Sequence, residues 1–288
     1  MIVSGFTFIR NAIKYDYPIV EAINSVLPLC NEFIVAVGQS DDETLRLIEN
    51  INSAKIKIVH TLWDDSLREG GKVLREETNK AMDAISPDAD WCFYIQGDEC
   101  LHEKYIPIVW KAMEENLQEK KIEGLLFNYL HFYGSYDFVG TSKRWYRKEI
   151  RIIRNDKNIR SYRDAQGFRK DGKKLKVKAI DAFIYHYGWV KPPKAQQEKA
   201  KTFNKLWHDD NWIKQNIPEV DEFDYSNVDG VERFESQHPE VMRKRIETMN
   251  WKFKLDPTKN KLKLKYKISK WIENISGYRI GEYKNYRF

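Results

Sequence analysis

Apolar residues come in short blocks along the first hundred positions, separated by polar or glycine-containing segments. Residues 2–9 form an apolar run that predicts a strand. Asp16 and Pro18 then open a segment in which Ile19, Val20, Ile23, Val26 and Leu27 recur at helical spacing. The alternation repeats. Residues 33–37 predict a second strand, closed by Gly38-Gln39-Ser40-Asp41-Asp42, and residues 43–52 carry Leu45, Leu47, Ile48 and Ile51 on a second helix. Residues 55–61 alternate through Ile56, Ile58 and His60 as a third strand, and a third helix over 75–85 follows Gly70-Gly71. A fourth strand, 91–95, runs into Gln96-Gly97-Asp98-Glu99. Strands and helices alternating at this spacing predict an α/β fold with a mainly parallel, doubly wound, Rossmann-like sheet. Such sheets bind ligands at the carboxyl ends of their strands.

Further on the rhythm loosens. A helix over 104–120 and strands over 124–133 and 150–154 are predicted; from Pro192-Pro193 onward the pattern changes to polar helices at 194–208 and 239–253. A boundary near Lys191 therefore divides an α/β domain, 1–190, from a helical C-terminal extension, 191–288. No internal repeat, Walker-type loop or Rossmann G-x-G-x-x-G is present in the sequence.

Composition changes this picture in two places. A hydrophobic fraction of 42% removes the chain from the disordered class. The net charge of +6 is concentrated at the end, where residues 251–288 hold 11 Lys/Arg against 3 Asp/Glu. The run Lys259-Asn260-Lys261-Leu262-Lys263-Leu264-Lys265-Tyr266-Lys267 suits an anionic membrane surface or a nucleic acid, as well as a solvated helix face or strand edge. Cys30, Cys92 and Cys100 are too few and scattered for a disulfide framework and read as reduced core thiols. The first residues lack the pattern of a secretory leader, and no apolar stretch reaches the ~18 residues of a membrane span. The expectation is a cytoplasmic protein whose tail offers a peripheral contact at the inner membrane face.

Four constellations carry candidate chemistry. Asp98-Glu99 is delivered by an apolar strand to the sheet's carboxyl edge, and such oxygen donors suit Mg²⁺ or Mn²⁺ shared with substrate phosphates. After the second strand, one of Ser40 and Asp41 can cap the following helix, which leaves an acid of the Asp41-Asp42 pair free for the ribose or base of a nucleotide. His186 emerges from the aromatic run Tyr185-His186-Tyr187-Gly188-Trp189; it reads as a hydrogen-bonded core histidine or as a metal ligand. Arg147 lies in Trp145-Tyr146-Arg147, where a basic group can clamp phosphate beside flat aromatic faces, and Asp164 lies in a polar loop, placed as a general base or a surface acid.

In this order, these features resemble the family 2-like glycosyltransferases of the GT-A fold, particularly bacterial members that build cell-surface polysaccharides. The resemblance spans roughly residues 1–190. It rests on the first strand running into Arg10-Asn11, on Val35-Ala36-Val37-Gly38-Gln39-Ser40-Asp41-Asp42-Glu43-Thr44, on Tyr94-Ile95-Gln96-Gly97-Asp98-Glu99, and on the later Trp145-Tyr146-Arg147, Arg151-Ile152-Ile153-Arg154 and Tyr185-His186-Tyr187. It implies a donor that is a nucleotide-diphosphate sugar and an acceptor that is a saccharide or a lipid-linked saccharide. The family's strand-end motif is usually D-x-D, so Asp98 is implied as the metal-binding acid, with Gln96 standing where the first Asp would be. Asp41 or Asp42 is implied at the nucleotide, alongside Arg10 and Arg147, and His186 as a further metal ligand. Asp164 is the nearest match to the general base, with Glu103 and Asp137 as rivals, and the implied reaction is a single displacement with inversion. Two other readings compete. A sugar nucleotidyltransferase would carry a Gly-rich, basic loop after the first strand, where this chain has Ser4-Gly5-Phe6-Thr7-Phe8-Ile9-Arg10-Asn11. A non-catalytic nucleic-acid-binding protein would use the basic tail, against the repulsion of Asp98-Glu99.

Overall fold

The computed structural model of the protein describes residues 1–288 except 68, 218, 227, 229, 254–270, 274 and 278. Its first half is β1 (Val3–Ile9), α1 (Ile19–Val26), β2 (Glu32–Gly38), α2 (Thr44–Glu49), β3 (Ile56–Thr61), α3 (Lys72–Asp83), β4 (Trp91–Tyr94), β5 (Glu99–Leu101) and α4 (Ile106–Glu115). Then follow β6 (Gly124–Tyr133), β7 (Ser135–Gly140), β8 (Lys148–Arg154), β9 (Ile159–Tyr162), β10 (Gly167–Lys170), β11 (Lys173–Lys174) and β12 (Val177–Trp189). The chain continues through α5 (Pro193–Asn204), α6 (Asp210–Asn216), β13 (Val231–Arg233) and α7 (Arg243–Glu247).

One 10-stranded sheet has the order β13-β7-β6-β8-β4-β1-β2-β3, with β12 beside β6 and β5 beside β12. β3, β2, β1 and β4 are mutually parallel, and β12 is parallel to β6. β8 runs antiparallel to both β4 and β6, which leaves β6 pointing the same way as the first four strands. The expected mainly parallel α/β sheet is therefore present, with β5, β7 and β8 running against it.

The sheet is wound on both faces because its central strands are apolar on both. Phe33, Val35, Val37, Trp91 and Phe93 point to one side, under Ile19, Ile23 and Val26 of α1 and Val109 and Met113 of α4. Ile34, Ala36, Cys92 and Tyr94, displaced by one residue, point to the other side and meet Val73, Leu74 and Ala81 of α3. All three cysteines are free and buried, and burial pushes the Cys30 thiol up to about 12.

The second half departs from the sequence reading in identifiable ways. The helix expected over 104–120 is shorter, with Asn116 turning its side chain back to donate to Ala112 O at 2.8 Å. That expected over 239–253 contracts to α7, because Trp251 leaves the helical path to donate its indole N–H to Gly134 O at 2.9 Å. The extension also supplies more than helices. β13 extends the main sheet beside β7, and Arg287 exchanges backbone hydrogen bonds with Leu175 (3.0 Å) and Val177 (2.8 Å). An aromatic cluster of Tyr133, Trp145, Trp189, Phe223, Tyr225 and Phe253 holds the start of the extension against β6 and β12. No helix among the described residues is long and apolar enough to cross a membrane. The basic run 259–267 lies outside the described residues.

Candidate functional site

The carboxyl ends of β1, β2 and β4 open on a cavity of about 880 Å³, closed from the other side by α5 and the residues after it. Its walls include Arg10, Asn11, Asp41, Trp63, Gln96, Asp98, Asp164, His186 and Lys199.

The loops after β1 and β2 are tied together by one side chain. Asn11, in the left-handed region at φ 55°, accepts from Asp41 N through Oδ1 at 2.7 Å and donates to Asp41 Oδ2 at 3.2 Å. Its backbone N–H donates to Ser40 Oγ at 3.0 Å. The two acids left open by the sequence divide their work here. Asp42 accepts from Thr44 N (3.0 Å) and Lys14 N (2.8 Å), so it caps the turn into α2 and does not line the cavity. Asp41 faces the cavity, and its hydrogen bonds with Lys14 and then Asn11 lower its carboxyl below the usual range. Arg10 pairs with Asp65 Oδ1 at 2.8 Å and lies 5.5 Å from the Trp63 ring, which packs beside Phe8 at 5.8 Å. The Trp63 indole N–H has no hydrogen-bond partner among the described residues. This wall is a flat aromatic surface with a donor to spare.

The β4 end carries the charge. Asp98 is 8% exposed, with Oδ2 3.2 Å from Lys199 Nζ and Oδ1 3.6 Å from His186 Nε2. Burial by itself raises its pKa, but the Lys199 ammonium above all holds the carboxyl well below the ordinary range. Lys199 comes from α5, also donates to Gly188 O at 3.2 Å, and sits 4.7 Å from the Tyr17 ring. Lys191, fully buried, donates to Asp16 O at 2.6 Å; burial, followed by repulsion from Lys199, depresses its pKa well below the usual lysine range. Gly188 is obligatory at this point, since a Cβ there would lie 2.7 Å from His186 Cε1 and 2.9 Å from Asp98 Oδ2.

Asp98 and His186 are the residues that fit a divalent ion. Two donors bound at about 2.1 Å to one ion at a right angle lie about 3 Å apart, and the 3.6 Å between Oδ1 and Nε2 is a slightly wider span. The carboxylate oxygen suits Mg²⁺ or Mn²⁺, whereas the imidazole nitrogen is a borderline donor that a transition-metal ion such as Mn²⁺ takes more readily than hard Mg²⁺. Among the described residues no group of three or more His, Cys, Asp and Glu side chains adds to the pair.

Gln96 lines the cavity as a neutral amide, donating to Tyr94 OH (3.4 Å) and Ala165 O (3.3 Å). It links the β4 end to the β9–β10 turn that bears Asp164. That turn is held by two left-handed residues, Arg163 (φ 56°) and Ala165 (φ 62°). Asp164 faces the cavity, and burial raises its carboxyl above the usual aspartate value. The start of α3 packs against it so closely that a Cβ on Gly71 would lie 2.6 Å from Asp164 Cβ. Glu103 and Asp137 are absent from the lining; Glu103 Oε2 accepts from Glu240 N at 3.1 Å, and Asp137 N donates to Ser135 Oγ at 3.1 Å.

Arg147 is the placement that the sequence motif misdirects. Its guanidinium turns toward the C-terminal segment, donating to both carboxylate oxygens of Glu282 (2.8 and 2.7 Å) and lying 3.1 Å from Glu273. It is absent from the cavity lining. Glu99 is likewise taken out of the acidic cluster, as a wholly buried bidentate partner of Arg151. Sequence reasoning did not find Lys191, Lys199, His131 or Trp63, which reach the site only through packing; no local motif marks them.

No family model matches the sequence, and no match was found among curated proteins. Among solved structures, the chain is similar to Staphylococcus aureus TarS, at 15% identity and a TM-score of 0.43 over 70% of this chain and 39% of that one. It is similar to 4-diphosphocytidyl-2C-methyl-D-erythritol synthase from Anaerococcus prevotii, at 13% identity and 0.40, over 70% and 94% of the two chains. A third similarity is to glucosyl-3-phosphoglycerate synthase from Mycobacterium tuberculosis, solved with Mn²⁺, uridine diphosphate and glucosyl-3-phosphoglycerate, at 19% identity and 0.32 over 46% and 45%. The chain thus spans about two-fifths of the TarS chain it matches.

Proposed function

We propose that the chain is a GT-A-type glycosyltransferase that moves a sugar from a nucleoside-diphosphate sugar to a hydroxyl of a saccharide or lipid-linked acceptor, with inversion and with Mn²⁺ or Mg²⁺. The observation that carries this reading is the joint opening of the Asp98–His186 pair, the Lys199 ammonium and the half-buried Asp164 carboxyl on one cavity at the carboxyl edge of the sheet. At about 880 Å³ the cavity is of the size that encloses a ligand of several hundred daltons.

Each residue then has a separate task. The Trp63 and Phe8 faces and the Asp41 carboxylate suit the base and ribose of the donor. The Lys199 ammonium offers charge to the departing diphosphate. Bound by Asp98 and His186, a divalent ion would supply Lewis-acid stabilisation of that leaving group. Asp164, its basicity raised by burial, accepts the proton of the acceptor hydroxyl as that oxygen attacks the anomeric carbon. Phe203 and Trp207 line the cavity from the α5 side. The Asn11–Asp41 hydrogen bonds close the segment after β1, where a nucleotidyltransferase reading asks for a glycine-rich phosphate loop, and so favour sugar transfer.

The test is thermal stabilisation by a panel of nucleoside diphosphates and nucleotide sugars, with and without Mn²⁺, in the wild type and Asp98→Ala. Binding at a hundredfold excess over Kd adds about 2.7 kcal/mol to apparent stability. A shift with one nucleotide that requires Mn²⁺ and vanishes in Asp98→Ala is expected; a panel without any shift would remove the transferase reading.

A further inference from the structure

We infer that His131 is a positioning residue: its hydrogen bonds hold His186 as the Nδ1–H tautomer, so that the Nε2 lone pair faces Asp98. The inference about ion affinity that follows rests on the metal reading above, whereas the tautomer itself does not.

His131 lies on β6 directly across from His186 on β12, in register. It is 3% exposed, packed between the rings of Tyr129 (5.4 Å), Trp145 (5.2 Å) and Tyr146 (4.4 Å). Its Nε2 is 2.8 Å from Tyr146 O. A carbonyl oxygen only accepts, so the proton of that bond belongs to His131 Nε2. The other nitrogen, Nδ1, is 3.1 Å from His186 Nδ1. One proton must lie on that line, since two facing lone pairs or two facing N–H groups repel at this distance. Placing it on His131 would create a buried imidazolium with no carboxylate in hydrogen-bond contact, which is costly. The proton therefore sits on His186 Nδ1, and a neutral His186 keeps Nε2 bare.

The direction matters because of what Nε2 faces. It is 3.6 Å from Asp98 Oδ1, so two electron-rich atoms converge on one point. The Lys199 ammonium pairs with Asp98 Oδ2, and the gap between Oδ1 and Nε2 is the side of the carboxylate left complementary to a further cation. The opposite tautomer would present an N–H to Asp98 in place of the lone pair, with no ligand position left. Second-shell partners that orient a ligating histidine usually change ion affinity by about 10–100-fold.

The experiment is two-bond ¹⁵N–¹H NMR of the imidazoles in the ion-free full chain, together with Mn²⁺ titration in the presence of uridine diphosphate, followed by the free-ion EPR signal. The variants are His131→Phe, which keeps a ring without nitrogens, and His131→Asn, whose carbonyl can replace the lost acceptor. In the wild type, His186 is expected with its proton on Nδ1 and His131 with its proton on Nε2. In His131→Phe the His186 tautomers should mix and Mn²⁺ affinity fall about 10–100-fold, with most of both recovered in His131→Asn. A proton on His186 Nε2 in the wild type, which needs no variant to fold, overturns the inference. So does a His131→Phe protein that keeps both tautomer and affinity. A wild type with the expected tautomer and no Mn²⁺ uptake would refute the metal reading and leave the positioning role intact.

Discussion

Replacing Arg151 by Met should be among the most damaging single changes in the chain. Both Arg151 and Glu99 have side chains with 0% exposure. Arg151 donates Nε to Glu99 Oε2 at 2.8 Å and Nη2 to Oε1 at 2.7 Å, and its Nη1 reaches Ile150 O (2.9 Å) and Gln166 O (3.1 Å). Glu99 also accepts from Tyr129 OH (2.8 Å) and Gln96 N (3.1 Å). The pair therefore joins the turn that bears Asp98 to the turn that bears Asp164. Truncating one partner leaves a buried, uncompensated charge, a loss of about 3–5 kcal/mol. At roughly 2–4 °C per kcal/mol for a chain of this size, Tm should fall by about 10 °C. Glu99→Gln, which removes the charge and keeps one of the two acceptor oxygens that serve Tyr129 OH and Gln96 N–H, should relieve part of that loss in the double variant. A double-mutant cycle by urea unfolding, read by tryptophan fluorescence, should give a coupling of about 2 kcal/mol. Single variants that each cost under about 1 kcal/mol, and that add without coupling, would refute the idea that this bridge braces the site.

Asp164→Asn should lower kcat by about 10²–10⁴ while leaving donor affinity nearly unchanged; a large loss of donor binding with kcat intact would place Asp164 at the donor instead. Because burial raises its carboxyl, the acid limb of the wild-type kcat profile should fall at a pH above the ordinary aspartate range. Burial also lifts Glu149 from an ordinary value near 4.5 to about 7, although Arg151 and Asn285 oppose the shift. The folded protein then holds a proton that the unfolded chain has released, so this contribution is full below the unfolded pKa, declines as pH rises toward 7 and is flat above. The loss is at most about 3 kcal/mol, and Glu149→Gln should flatten that slope in Tm measured from pH 4.5 to 8; an unchanged slope would assign it to other groups. Arg147→Ala should cost about 1 kcal/mol or less, through its partly exposed ion pairs with Glu282 and Glu273, and leave nucleotide binding as in the wild type. A drop in nucleotide affinity measured by calorimetry would return Arg147 to the site.

The α/β winding was legible in the sequence because it is written in local periodicity. Phe33-Ile34-Val35-Ala36-Val37 is apolar on both faces, so it had to be an interior strand with helices above and below. The position of Asp98 was legible for the same reason, since an acid that follows a buried strand in such a sheet emerges at its carboxyl edge. What that acid meets was not. Lys199 reaches Asp98 from 101 residues away, His131 reaches His186 from 55 and Arg151 reaches Glu99 from 52. These partners are set by strand register and by the docking of α5 across the sheet. The same limit explains the misplaced Arg147, whose neighbours in sequence are aromatic residues suited to a ligand but whose charge is claimed by Glu282 after the chain returns to the sheet. Residue order along the first hundred positions determined which segments are strands and helices and which edge of the sheet carries acids. Only the tertiary structure decided which charges are paired and which remain for a ligand, because electrostatic pairing depends on distance through space and local periodicity carries no record of it.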